Sequence, residues 1–112
     1  MIDKKALQAL EDEHYERLKQ YKKAEEELEE YFHQFKSRTD DLMEQIYYAY
    51  RHLPAQEGRP FLAELQHNLM AYQRDYENRR SRIDEARQKD KREFNKKIEA
   101  LENRAKETKD ID

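Results

Sequence analysis

The sequence predicts an all-α fold, a long antiparallel two-helix hairpin with coiled-coil-like packing. Three observations predict it. Charged residues make up 44% of the 112 residues, and Glu, Lys, Arg, Ala and Leu dominate, which is the composition of long helices. Apolar residues return at alternating steps of three and four on both sides of the chain's middle. Between those two runs lies Leu53-Pro54-Ala55-Gln56-Glu57-Gly58-Arg59-Pro60, which holds both prolines and the only glycine.

Helix 1 is expected over about 3–53. One apolar row runs Leu7, His14, Tyr21, Leu28, Phe35, Leu42 and Ala49; the other runs Glu11, Leu18, Glu25, Phe32, Thr39, Ile46 and Leu53. Proline disfavours helical geometry in the residue before it, so Pro54 ends this helix near Leu53. A turn over 54–59 follows, where Gly58 supplies a backbone that bends either way and Pro60 suits the first turn of a new helix. Helix 2 is expected over about 60–109. Its rows are Leu62, Leu69, Tyr76 and Ile83, beside Leu65, Tyr72, Arg79 and Ala86. Phe94 follows Ile83 by eleven residues, a stutter that relaxes left-handed supercoiling, and Ile98, Leu101 and Ala105 continue the stripe. The polar tail from Lys106 to Asp112 is expected to fray.

Pairing residues whose numbers sum to about 115 sets Leu53 against Leu62, Ile46 against Leu69, Phe32 against Ile83, Tyr21 against Phe94 and His14 against Leu101. This register places the acidic run Glu25–Glu30 beside the basic stretch Arg79–Arg92, and opposite charges across a helix pair select its orientation. Glu25 then faces Asp90, a repulsive layer where local opening is expected.

A chain of this length predicts one domain, 1–112. Mean hydropathy is low, at −1.46, yet the net charge of −3 and the apolar periodicity argue against disorder. Such a hairpin has a seam in place of a globular core, so it gains by burying that seam against a second copy or a partner. The absence of cysteine removes disulfides and thiolate metal sites. The start, Met1-Ile2-Asp3-Lys4-Lys5-Ala6-Leu7, lacks an apolar h-region, and no run approaches the roughly 18 residues of a membrane span. Cytoplasmic synthesis is expected, with export by a route lacking a cleaved signal peptide left open.

No catalytic, cofactor or metal constellation is legible. His14, His33, His52 and His67 are widely spaced, and His14 on the seam reads as a structural polar layer. A thin hairpin offers nothing to enclose a substrate, so no enzyme is expected. The arginines from Asn78 to Arg87 invite comparison with a DNA-reading helix, but Asp84, Glu85 and Asp90 would repel phosphates and the chain is acidic, with a pI of about 5.9. Neither nucleic acid nor membrane is an expected partner. The informative region lies near the turn, where Met43, Tyr47, Tyr48 and Tyr50 on helix 1, and Phe61, Leu65, Met70 and Tyr72 on helix 2, spread the apolar arc beyond one stripe. Exposed aromatic and methionine side chains mark protein interfaces, so these eight are the candidate partner-binding residues.

Several stretches carry a resemblance: Glu29-Glu30-Tyr31-Phe32-His33-Gln34-Phe35, then Phe61-Leu62-Ala63-Glu64-Leu65-Gln66-His67-Asn68-Leu69, and the charged run Arg79–Arg104. With the turn they span most of Leu28 to Arg104. They resemble the Esx/WXG-type proteins of type VII secretion. More specifically, they resemble the small helical Lap-type targeting factors encoded beside LXG toxins in Gram-positive bacteria. Here Leu53–Pro60 stands where the wider class has its Trp-x-Gly turn. The resemblance implies a non-enzymatic adaptor or chaperone that binds the helical N-terminal domain of an LXG toxin and helps target it for secretion. A second small helical protein could share that complex. A self-associating coiled-coil scaffold without a secretion role is the alternative.

Overall fold

The computed structural model describes residues 3–111, with the side chains of 3–54 and 56–107. Two helices build it, α1 (Lys4–Tyr50) and α2 (Ala55–Ile111), and no strand occurs among the described residues. The fold is the all-α helical hairpin that the sequence predicts.

Local chemistry fixes where α1 starts. The Asp3 carboxylate accepts hydrogen bonds from the backbone N–H groups of Lys5 at 3.0 Å and Ala6 at 3.3 Å, and the Asp3 carbonyl accepts the Leu7 N–H at 3.0 Å. Asp3 is therefore an N-cap that satisfies donors left without partners in the first turn.

The turn falls earlier than the sequence suggested, at 51–54 in place of 54–59. α1 ends at Tyr50, whose carbonyl accepts the Leu53 N–H at 3.0 Å, and the Pro54 carbonyl accepts the Glu57 N–H at 3.0 Å to open α2. Glu57 adds a negative charge to that first turn, where the helix dipole favours it. Pro54, which has no N–H to satisfy, is the turn residue just before the second helix, and Pro60 lies inside it. Pro60 forfeits one bond, to the Gln56 carbonyl.

Gly58 is helical as well, with no positive φ, so it does not serve as the flexible turn residue expected from the sequence. It is buried, and a Cβ there would sit 3.1 Å from Tyr50 Cβ and 3.3 Å from Tyr50 Cγ. Glycine is needed for close approach: its missing side chain lets the start of α2 lie against the end of α1.

The chain divides into two compact units, Met1–Ala24 with Arg82–Asp112, and Glu25–Ser81. Within each, α1 and α2 run antiparallel with contacting residue numbers summing to about 108, as in His14–Phe94 and Phe32–Tyr76. Phe32 thus meets Tyr76 and not Ile83, and His14 meets Phe94 and not Leu101. The shift from the predicted register is one heptad. A seven-residue slip sets the same apolar rows face to face, so periodicity alone cannot detect it. The turn at 51–54 selects the register.

The seam also drifts. In the Glu25–Ser81 unit the covered positions of α1 from Leu28 onward are Leu28, Phe32, Phe35, Thr39, Met43, Ile46 and Tyr50, at steps of four, three, four, four, three and four. Leu42 and Ala49, which heptad counting puts on the seam, are exposed. An eleven-residue repeat follows the natural pitch of a straight α-helix more closely than a heptad does. In the other unit, Ile83, Arg87, Asp90, Phe94, Ile98, Leu101 and Ala105 follow the same steps, which is the stutter read from the sequence. No apolar side chain is buried among the described residues, and the buried side chains are the polar Thr39 and Asp90, each 5% exposed.

Candidate partner-docking surface

The unit built from Met1–Ala24 and Arg82–Asp112 is held by a polar layer. His14 Nδ1 lies 2.8 Å from Asp90 Oδ2, Arg17 Nε donates to Asp90 Oδ1, and the His14 ring stacks on Phe94 at 4.1 Å with 9° between planes. The imidazole gives its flat face to an aromatic ring and its edge to a carboxylate, which makes His14 the structural layer read from the sequence. The expected repulsive layer is overturned. Asp90 has the Arg17 guanidinium and the His14 imidazole as partners within its own unit, while Glu25 lies 3.9 Å from Arg80 within the other. Farther along the basic stretch, Arg79 pairs with Asp75 at 2.9 Å and Arg87 with Asp84 at 3.2 Å, both within α2. These arginines are engaged by carboxylates of their own chain. Among the described residues no cluster of three or more His, Asp or Glu is arranged to hold a metal. No helix there is long and apolar enough to cross a membrane.

The Glu25–Ser81 unit is held by stacked rings. Phe35 lies 3.9 Å from Tyr72, Phe32 lies 4.5 Å from Tyr76 and 6.0 Å from Tyr72, and Tyr31 closes the stack 6.1 Å from Tyr72. Burial raises the Tyr72 pKa, a hydrogen bond and charge interaction with Tyr31 raise it further, and Arg79 opposes the shift. Each of the raising effects favours the neutral phenol of Tyr72 over its phenolate.

The eight candidate residues divide into two sets. Tyr47, Tyr48, Phe61 and Met70 are exposed, whereas Met43, Tyr50, Leu65 and Tyr72 are half-buried and belong to the seam. Tyr50 packs on Gly58 and lies 5.8 Å from the Phe61 ring. Tyr47 and Tyr50 meet at a cleft of about 300 Å³ beside the turn, with Ile46, Leu53 and Leu62 as its other apolar walls and Arg51 and Arg59 also lining it. Tyr48 and Met70 do not line this cleft; Tyr48 instead carries the Arg51 guanidinium 4.7 Å over its ring. Sequence reasoning missed Tyr31, Leu42 and Leu53 as exposed apolar groups, and missed the two arginines. The eleven-residue stepping of the seam was the signal that could have found Leu42.

Among the described residues eight large hydrophobic side chains stand exposed, and seven of them lie in the Glu25–Ser81 unit: Tyr31, Leu42, Tyr47, Tyr48, Leu53, Phe61 and Met70. The other is Tyr15, against which Lys19 rests at 4.5 Å. No protein-family model matches the chain, and no curated protein and no solved structure shows significant similarity to it.

Proposed function

We propose that this chain is a non-enzymatic helical adaptor that holds a helical domain of another protein against its Glu25–Ser81 unit. The observation that supports this reading is the imbalance between seam and surface. No apolar side chain among the described residues is buried, yet seven large ones stand exposed in that one unit. Exposed apolar groups of this kind are stabilised by a partner that removes them from water, at roughly 25 cal/mol per Å².

The turn cleft is the proposed anchor point. Ile46, Tyr47, Tyr50, Leu53 and Leu62 offer apolar walls to an incoming side chain, and Arg51 and Arg59 offer charge to carboxylates flanking it. In keeping with the sequence resemblance, the partner is the helical N-terminal domain of an LXG toxin, and the adaptor stabilises and presents it for type VII secretion.

Co-expression with such a domain tests the reading. The two chains are expected to co-purify, and Tyr47→Ala combined with Leu53→Ala to weaken binding at least tenfold with helix content unchanged. Both substituted side chains are exposed, so the hairpin should survive their loss. Unchanged affinity in the double variant removes the turn cleft as the anchor. Failure of the wild-type chain to bind any LXG domain removes the toxin as the partner.

A further inference from the structure

We propose that a second copy of this chain covers a face made by the exposed Tyr31, Leu42 and Phe61, which border the half-buried seam residue Tyr72. Tyr31 and Leu42 are eleven residues apart, three helical turns, so they share one side of α1, and the same spacing puts Phe61 and Tyr72 on one side of α2. Tyr31 rests 6.1 Å from Tyr72, which brings the two sides together as a single face. Leu42 and Phe61 stand to each other in the same register as Tyr31 and Tyr72, forming a second apolar layer about 16 Å along the helices. Tyr47, five residues beyond Leu42, is turned about 140° away around α1. The face is therefore separate from the turn cleft, and the proposal goes beyond adaptor binding there.

Surface area argues for a copy of the chain as the occupant. The chain exposes 9583 Å². A folded monomer of 13.9 kDa is expected to expose about 6,700 Å², so about 2,900 Å² is in excess. A standard interface covers about 800 Å² per partner and an obligate dimer more, so the excess suffices for a stable dimer. A two-fold pairing sets the same two layers against themselves, giving each hairpin the apolar core that it lacks alone. Tyr31, Leu42 and Phe61 are 65%, 47% and 49% exposed, so a dimer has much of each still to cover.

The experiment is light scattering on the full chain from micromolar to millimolar concentration, with circular dichroism in parallel. The wild-type chain is expected at twice 13.9 kDa, and Leu42→Glu combined with Phe61→Glu at 13.9 kDa with its helices retained. Leu42→Gln with Phe61→Gln serves as the milder second variant. A wild-type monomer throughout that range overturns the proposal, as does a dimer that persists in both double variants. Loss of helix in both variants also overturns it, because these side chains would then belong to the hairpin's own packing. Tyr47→Ala should leave the dimer intact, so the fate of this face is read separately from that of the turn cleft.

Discussion

Asp90 shows how much one polar residue can do on a seam without a hydrophobic core. Its carboxylate is 5% exposed and receives both His14 and Arg17. Removing it would leave His14 without its carboxylate partner and Arg17 with only the longer 3.9 Å pairing to Glu13. Hydrogen bonds to charged groups are worth about 1.5–3 kcal/mol, so Asp90→Ala should lose that much stability in urea unfolding. A loss below about 0.5 kcal/mol would show that water replaces the carboxylate freely. The sequence marked His14 as a polar layer, and that was legible because a histidine interrupted an apolar row. Its partner was not legible, since Asp90 could be assigned only once the register was known.

At the scale of the element, periodicity announces a helix more clearly than it announces where the helix stops. Both helices were evident from their apolar steps, but Gly58 was read by its flexibility when its small size is what matters. Gly58→Ala sets two effects in opposition. Alanine gains about 1 kcal/mol in helix propensity, while overpacking a tight contact costs about 1–3 kcal/mol. Tyr50 Cβ is tied directly to the backbone and cannot rotate out of the way, so the clash should win. A net destabilisation of about 1 kcal/mol is expected in thermal or urea unfolding. A gain in stability would mean that the turn relaxes to admit the methyl group. The one-heptad error in register has the same root. Pro60 looked like a helix start because proline suits that place, but α2 already begins at Ala55, directly after Pro54.

For the whole molecule, the sequence foretold the fold class and the richness of the turn-side half in exposed aromatics. It did not foretell which aromatics those are. Heptad counting follows a period of 3.5 residues, while the covered stripe of α1 advances by eleven residues in three turns, so the two diverge by the time they reach Leu42. Met43, Tyr50, Leu65 and Tyr72 consequently belong to the seam, while Tyr31 and Leu42 face outward. The same drift separates the proposed self-association face from the turn cleft, so one unit offers two different apolar surfaces.

The close contact of Gly58 with Tyr50 also bears on the order in which the chain folds. Tyr50 and Phe61 close a loop of about eleven residues, whereas His14 and Asp90 are separated by 76. Chain entropy makes the longer closure costlier by about 1.7 kcal/mol when each starts from an open chain. The stretch around the turn should therefore form first and nucleate the rest, with the ends of the chain arriving late. Pulsed hydrogen exchange during refolding should show amides of Glu25–Ser81 protected before those flanking His14 and Asp90. Simultaneous protection would mean that the molecule folds in one concerted step.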